Sequence, residues 1–226
     1  MMNKRTIDEH LIKEAVRYLG YGRHAIDERT LELIHSSFEE LEQVADVRFI
    51  YRIFEISFLA KDELVLGNLK INSKNLYKNL QGCKQAIVLG ITLGAGVDRL
   101  LKRYSLTDMS YVVVLQACAA ALLEAHCDKV EMIAKGQLGE NLYFRPRFSP
   151  GYGDFSILHQ KELLQMIDAS KRIGLTMTEG YMLTPTKSVT ALIGISELNQ
   201  NCNQKGCEVC NKTDCIYRRD GNNVTR

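Results

Sequence analysis

The chain has 226 residues, 46% hydrophobic and 25% charged, which is the composition of a globular protein able to bury a core without disulfide or metal staples. Its 29 basic and 27 acidic residues leave a net charge of +2, so composition gives no argument for nucleic acid or an anionic membrane as partner. Acidic groups stand in the first ten residues, where a signal peptide needs an apolar run, so we expect a cytoplasmic protein.

Two amphipathic helices are predicted in the first 45 residues. The first ends at Gly20, because glycine commonly follows the last turn of a helix, and the second begins after Asp27, a favourable N-cap residue. Both have an apolar stripe at helical spacing. The stripes are Ile7, Leu11, Ala15 and Leu19 in the first helix and Leu31, Ile34, Phe38, Leu41 and Ala45 in the second.

A strand-rich region follows. Aromatic and β-branched residues over 48–59 predict a strand, residues 61–63 a turn, and residues 64–66 an antiparallel return. Ser73 begins a short helix, and residues 86–91 form a buried strand. Gly94 and Gly96 follow that strand, but Arg99 occupies the place of the third glycine in a dinucleotide-binding fingerprint, so we interpret them as a turn.

The longest predicted helix covers residues 107–136. Its apolar part runs from Tyr111 to Leu123, is interrupted by Gln116 and ends at Glu124, so it is shorter than the ~20 uncharged residues of a membrane span. We therefore expect a buried helix and no membrane partner. Glu124 is either a surface charge of this helix or a carboxylate that lines a cleft and holds a cationic ligand group.

A segment that we call the proline–glycine loop, residues 145–155, is the most unusual stretch. Pro146 and Pro150 restrict the backbone to extended conformations around them, and glycines on both sides of Tyr152 permit conformations closed to other residues. These features predict a rigid loop, with Asp154 or Ser156 capping the helix that follows. The alternative is a plain strand-to-helix connection in which Tyr152 is a packed aromatic residue.

The rest of the chain predicts one more strand and a separate tail. Residues 175–188 contain too much Thr, Gly and Pro for a long regular element, and residues 189–195 form a strand. Apolar content falls after Glu197. Helices and strands do not alternate regularly, so we predict an α+β fold with a mixed, mainly antiparallel sheet and packed helices, with one domain over 1–197 and a cysteine-rich tail over 198–226.

The cysteine tail, residues 198–226, has four cysteines in a C-x4-C-x2-C-x4-C pattern. Four thiolates at this spacing suit one metal centre, either zinc or an iron–sulfur cluster. The alternative is a reduced tail that binds no metal. The pattern comprises Cys202, Cys207, Cys210 and Cys215, whereas Cys83, Cys118 and Cys127 lie in apolar contexts and are expected to be core residues.

Three motifs stand in order along the chain: Leu123-Glu124-Ala125, Arg147-Phe148-Ser149-Pro150-Gly151-Tyr152, and residues 175–182 followed by Pro185, Ser188 and Val189. Together they resemble the activation domain of cobalamin-dependent methionine synthase. The first resembles the acidic helix of that family, the second its Arg-x-x-Pro-Gly-Tyr motif, and the third its Leu-Thr-Glu segment ahead of a Ser-Val strand.

The resemblance implies a domain that binds S-adenosylmethionine and, with an electron from a reduced flavoprotein or ferredoxin, remethylates cobalamin that has been oxidised to cobalt(II). It implies that Arg147 meets the carboxylate of the methionine part, that Ser149, Gly151 and Tyr152 lie beside it, and that Glu124 compensates the ammonium or sulfonium. The cofactors carry such a reaction, so no catalytic side chain is required.

The cobalamin would be carried by a partner, because this chain has no cobalamin-binding module. We expect that partner to be a methionine synthase or corrinoid methyltransferase lacking its own activation domain. An iron–sulfur cluster in the cysteine tail would provide an electron relay that zinc would not. One departure is that Ile193 and Gly194 stand where the family has an aromatic pair. The alternative function is a non-catalytic docking or metal-sensing module that retains only the fold.

Overall fold

A computed structural model describes residues 8–21, 26–139 and 141–197 of the chain. Helices and strands alternate irregularly along these residues. The helices are α1 (Glu9–Tyr18), α2 (Glu28–Val44), α3 (Lys74–Leu80), α4 (Ala95–Ser105), α5 (Met109–Leu138), α6 (Gln160–Met166) and α7 (Ala169–Ile173). The strands are β1 (Arg48–Ala60), β2 (Glu63–Leu66), β3 (Leu69–Asn72), β4 (Gln85–Thr92), β5 (Tyr143–Phe144), β6 (Thr176–Met177), β7 (Leu183–Thr184) and β8 (Ser188–Ser196).

The described residues divide into two compact units. The first contains α1, α2, α4 and the part of α5 that ends at His126. The second contains all the strands, α3, α6, α7 and the part of α5 that begins at Cys127.

The first unit is helical, and its helices begin where the sequence provides caps. The Asp27 carboxylate accepts a hydrogen bond of 2.7 Å from the backbone N–H of Thr30, and this contact lowers the pKa of Asp27. The predicted stripe of α2 is buried at Ile34, Phe38 and Leu41. The predicted first two helices are therefore confirmed over their described residues.

The second unit is built on a six-stranded sheet in the order β3-β2-β1-β4-β8-β5. Every neighbouring pair in this sheet is antiparallel. Strand β4 pairs with β8 over eight residues, from Gln85 opposite Ile195 to Thr92 opposite Ser188. The predicted hairpin of β1 and β2 is present, and the predicted α+β class with a mainly antiparallel sheet is confirmed.

Helices α6 and α7 cover one face of this sheet with apolar side chains. Ile167 packs so closely on β4 that a Cβ added at Gly90 would come within 2.7 Å of its Cδ1 atom. The core beneath them also receives side chains from α3 and from the loop that precedes α6, including Leu76, Leu80 and Phe155.

Among the described residues, α5 is the one helix that is long and apolar enough, by length and composition, to cross a membrane. Of its most apolar 18-residue window, 56% is buried within the protein. Buried core helices pass the same test, so this is the buried helix that the sequence predicts.

The glycines before and within α4 allow backbones to approach closely. A Cβ at Gly96 would lie 2.1 Å from the carbonyl oxygen of Val44, and a Cβ at Gly94, where φ is +82°, would lie 2.9 Å from that of Asp46. Gly94 therefore lies in the turn that the sequence predicts, whereas Gly96 lies in the first turn of α4. The boundary predicted near 197 and the cysteine tail lie at and beyond the end of the described residues.

Candidate functional site

The proline–glycine loop is fastened to the outer part of the sheet at its first residues. The backbone N–H of Arg145 donates to the carbonyl of Gly194 at 2.8 Å, and Phe148 and Leu192 exchange two backbone hydrogen bonds of 2.9 and 2.8 Å. Arg147 stands between these two attachment points. The segment that Pro146 and Pro150 predict to be extended thus pairs with β8 through an isolated antiparallel β-bridge.

The second half of the loop closes on itself. Tyr152 N–H donates to the Ser149 carbonyl at 3.1 Å, Gly151 N–H to the Phe155 carbonyl at 2.8 Å, and Phe155 N–H to the Tyr152 carbonyl at 2.9 Å. Gly151 has a φ of +91° and Gly153 a φ of +54°, values that residues with a Cβ rarely adopt. The two glycines therefore set the closed shape of the loop.

Phe155 and Asp154 attach the closed turn to the rest of the second unit. The Phe155 ring is 1% exposed and belongs to the core of the second unit. The Asp154 carboxylate accepts hydrogen bonds from the Ser73 hydroxyl at 2.5 Å and from the backbone N–H groups of Lys74 and Asn75 at 2.8 and 3.1 Å. These contacts lower the pKa of Asp154, the Ser73 hydroxyl contributing most.

Asp154 therefore caps α3 and not the helix that follows the loop. Of the two caps that the sequence offers, Ser156 performs the local role, because its hydroxyl accepts from the N–H of Leu158 at 3.3 Å at the start of a short 3-10 turn, Ile157–His159, that leads into α6. The sequence could not show that Asp154 reaches a helix some 80 residues earlier.

Tyr152 stands at the apex of the loop with 67% of its surface exposed. Its ring centroid lies 6.4 Å from that of Phe148, and the two rings are tilted by 58°. Ile157 and Leu158, just after the loop, are also exposed. The alternative in which Tyr152 is a packed core aromatic is wrong, because the core position of the loop belongs to Phe155.

Arg147 is bound by two carboxylates of α5. Its Nη1 atom lies 2.8 Å from Asp128 Oδ1 and also forms an ion pair with Glu131 Oε1. Asp128 and Glu131, which we call the acidic pair, are three residues apart and so share one face of the helix. The Arg147 side chain is 21% exposed, which makes these contacts partly shielded from water. Sequence reasoning missed the acidic pair, and its only signal was this helical spacing.

The position at which the resemblance implies an aromatic pair is closely packed in this chain. Ile193 is buried, and a Cβ at Gly194 would lie 2.8 Å from Cys83 Sγ, 2.8 Å from Leu80 Cδ2 and 2.9 Å from Arg145 Cγ. Arg145 itself is 3% exposed and donates from Nη2 to the Gln81 carbonyl at 3.1 Å. An aromatic side chain therefore has no room at position 194.

Glu124 lies on α5 within the first unit and is half-buried. Burial raises the pKa of the Tyr18 phenol, and the negative charge of Glu124 raises it further. The structure thus places Arg147, Ser149, Gly151 and Tyr152 on one rigid loop of the second unit, whereas Glu124 is a residue of the first unit. Its ligand role stays a prediction.

The described residues hold no group of three or more His, Cys, Asp or Glu side chains arranged for a metal ion. Cys83, Cys118 and Cys127 are buried, as predicted, and burial raises the pKa of Cys118 to about 12. The four candidate metal ligands, Cys202, Cys207, Cys210 and Cys215, lie outside the described residues.

A separate groove of about 350 Å³ lies along α6, α7 and β6. Leu164, Ala169 and Leu175 contribute apolar surface to it, and Lys161 and Lys171 are among its lining residues. None of the predicted ligand residues that the structure describes lines this groove. The candidate site is therefore the surface formed by the proline–glycine loop and the acidic pair.

Comparison with known proteins identifies relatives of this fold. Residues 78–201, more than half of the chain, match the sequence model of the family described as "Vitamin B12 dependent methionine synthase, activation domain". Among solved structures, the MetH reactivation domain bound to AdoHcy is similar, with a TM-score of 0.61 and 15% sequence identity, over 85% of this chain and 76% of that chain. No curated protein sequence matches the chain.

Proposed function

Because the chain belongs to the family of vitamin B12-dependent methionine synthase activation domains, we propose that it binds S-adenosylmethionine and supports reductive remethylation of the cobalamin of a corrinoid protein, acting in trans. The observation that carries this proposal is the hydrogen-bonded loop to which both Arg147 and Tyr152 belong, which lies wholly inside the matched region. The corrinoid partner would be a methionine synthase or a related methyltransferase.

The residue types of the loop suit the methionine part of this ligand. A guanidinium binds a carboxylate through two parallel hydrogen bonds, which is the role we assign to Arg147. Gly151 lets the ligand approach the backbone, Ser149 offers a hydroxyl, and the exposed ring of Tyr152 offers an apolar surface. The relative of known structure has AdoHcy bound, and this molecule is S-adenosylmethionine without its transferred methyl group.

The proposed reaction needs one electron and one methyl group for each cobalamin. The carbon–sulfur bond of S-adenosylmethionine breaks, a cobalt–carbon bond forms, and S-adenosylhomocysteine leaves, while a reduced flavoprotein or ferredoxin supplies the electron that cobalt(II) requires. The protein would hold the methyl donor in orientation and exclude water, and no side chain gains or loses a proton. We propose that the cysteine tail holds an iron–sulfur cluster, with zinc as the alternative.

Calorimetric titration with S-adenosylmethionine tests the proposal. We expect the wild type to bind, and we expect Arg147→Ala to lose about 1.5–3 kcal/mol of binding free energy, which is roughly a 10- to 150-fold weaker affinity. Arg29→Ala is the control, because Arg29 is an exposed arginine of α2 in the first unit. Absence of wild-type binding at millimolar ligand would refute the proposed function.

The second candidate function is a non-catalytic docking or metal-sensing module. The close packing at Gly194 favours it, because an aromatic side chain on which the ligand could stack has no room there. Methylcobalamin formation separates the two functions. With S-adenosylmethionine and a reductant, an activation protein restores methylcobalamin on at least one co-encoded corrinoid protein, whereas a docking module binds that protein and leaves cobalt(II) unchanged.

A further inference from the structure

The acidic pair and Arg147 form a cluster of mixed charge, with one positive and two negative groups in contact. We infer that Asp128 and Glu131 bind the α-ammonium group of the ligand whose carboxylate meets Arg147. The cluster would then recognise both charged ends of an α-amino acid. This inference rests on the proposed function and adds two ligand-binding residues to it.

The contacts of the acidic pair place it where such an ammonium would lie. In an α-amino acid the ammonium and the carboxylate are attached to the same carbon, so a ligand held through its carboxylate at Arg147 has its ammonium next to the partners of Arg147. Those partners include two carboxylates on one face of α5. Glu131 is 25% exposed and Asp128 61%, so ligand can reach both from solvent.

The charge balance of the cluster favours a cationic zwitterion over a simple anion. One guanidinium and two carboxylates give the cluster a formal charge of −1, so a ligand that carries only a carboxylate meets net repulsion there. S-adenosylmethionine carries one carboxylate, one ammonium and one sulfonium, which sum to +1. The cluster and this ligand are therefore complementary both in net charge and in the signs of their neighbouring groups.

An alternative role for the acidic pair is competition, in which its carboxylates hold Arg147 and must be displaced by the carboxylate of the ligand. The two roles predict opposite effects of neutralising the pair. If the pair binds the ammonium, neutralisation weakens ligand binding. If the pair competes for Arg147, neutralisation strengthens binding, because the guanidinium then loses an internal partner.

The experiment titrates S-adenosylmethionine and two analogues into the full-length protein. One analogue is decarboxylated S-adenosylmethionine, and the other has hydrogen in place of the α-ammonium group. We expect Glu131→Gln and Asp128→Asn each to lower the affinity for S-adenosylmethionine about tenfold. The affinity of each variant for the analogue without ammonium should stay within about twofold of that of the wild type. Glu55→Gln, a change at an exposed carboxylate of the second unit outside the three motifs, is the control and should alter neither affinity.

A second arm tests the pairing of ligand groups with residues. Arg147→Ala should weaken the binding of S-adenosylmethionine but change the affinity for decarboxylated S-adenosylmethionine less than threefold, because that analogue has no carboxylate for Arg147 to bind. This comparison is a double-mutant cycle in which one of the two changes is made on the ligand. Thermal melts check that each variant folds, and Asp128→Asn, at the more exposed residue, is the second test if Glu131→Gln melts early.

The outcomes separate this inference from the proposed function. If the wild type binds S-adenosylmethionine and the acidic-pair variants bind it equally well or more tightly, the inference is overturned and the proposed function stands. The inference is also overturned if the acidic-pair variants lose affinity for the analogue without ammonium by the same factor as for S-adenosylmethionine. The acidic pair would then act only by positioning Arg147. Absence of wild-type binding would refute both.

Discussion

Gly153→Ala should destabilise the second unit, because Gly153 combines a left-handed backbone with a close neighbour. Its φ is +54°, and a Cβ built on it would lie 2.2 Å from Asn75 Nδ2 and 3.1 Å from Asn75 Cγ. The left-handed conformation costs a residue with a Cβ about 1–2 kcal/mol. Asn75 must also move away from the added methyl group, at the start of α3, where its backbone N–H donates to Asp154.

The two costs can be separated with a second change. In the background of Asn75→Ala the contacts with the amide are removed and only the Cβ of residue 75, 3.3 Å away, remains. Gly153→Ala should then lower the free energy of unfolding by little more than the backbone cost of about 1–2 kcal/mol. The matched control is Gly136→Ala in α5, where an added Cβ has no neighbour within 4 Å. There alanine should stabilise by about 0.5–1 kcal/mol, because glycine is a poor helix residue.

Urea unfolding followed by circular dichroism measures these differences, since a change in midpoint at constant slope reports a change in stability. We expect the order Gly136→Ala, wild type, Gly153→Ala from most to least stable. A Gly153→Ala protein as stable as the wild type would show that the loop does not hold the left-handed conformation, and the argument for a rigid site would fail with it.

Two further predictions concern the cap of α3 and the cysteine tail. Because its hydrogen bonds lower the pKa of Asp154 in the folded protein below the ordinary 3.8, the carboxylate contributes stability that is fully present well above pH 3.8 and is lost as pH falls through the lowered folded pKa. Thermal melts of Asp154→Asn should therefore differ most from wild type at neutral pH and converge in acid; a constant difference would contradict this linkage. Anaerobic purification with metal and sulfide analysis should find iron and sulfide bound through the four tail cysteines, whereas zinc without iron would refute the electron relay.

The sequence predicts those helices and strands that depend on interactions between residues close together in the chain. Asp27 and Ser73 begin helices because each side-chain oxygen accepts from an N–H three residues later, and that interaction needs no distant partner. The hairpin of β1 and β2 follows from alternation and a short turn. Strands β5, β6 and β7 were not predicted, because each has two residues and too few side chains to show a period. The four-residue strand β3 was not predicted either.

The candidate site is predictable only in part, for the same reason. Motif resemblance identifies Arg147 and Tyr152 and their glycine neighbour, all within six consecutive positions. The acidic pair lies 16 and 19 residues before Arg147, across the end of α5 and β5, and the pairing depends on how the loop lies along β8. Charged residues at helical spacing are common on solvated helix faces, so spacing alone does not identify a partner.

The way in which the proline–glycine loop is held determines what ligand binding must change. Hydrogen bonds to β8 hold its start, Phe155 in the core holds its end, and Asp154 ties it to α3. A loop fixed by three elements before the ligand arrives does not lose much further conformational freedom on binding. A charged ligand must then change the ion pairs of Arg147 and not the conformation of the loop. The affinity of this site therefore depends more on the charges of the acidic pair than on the free energy of ordering the loop.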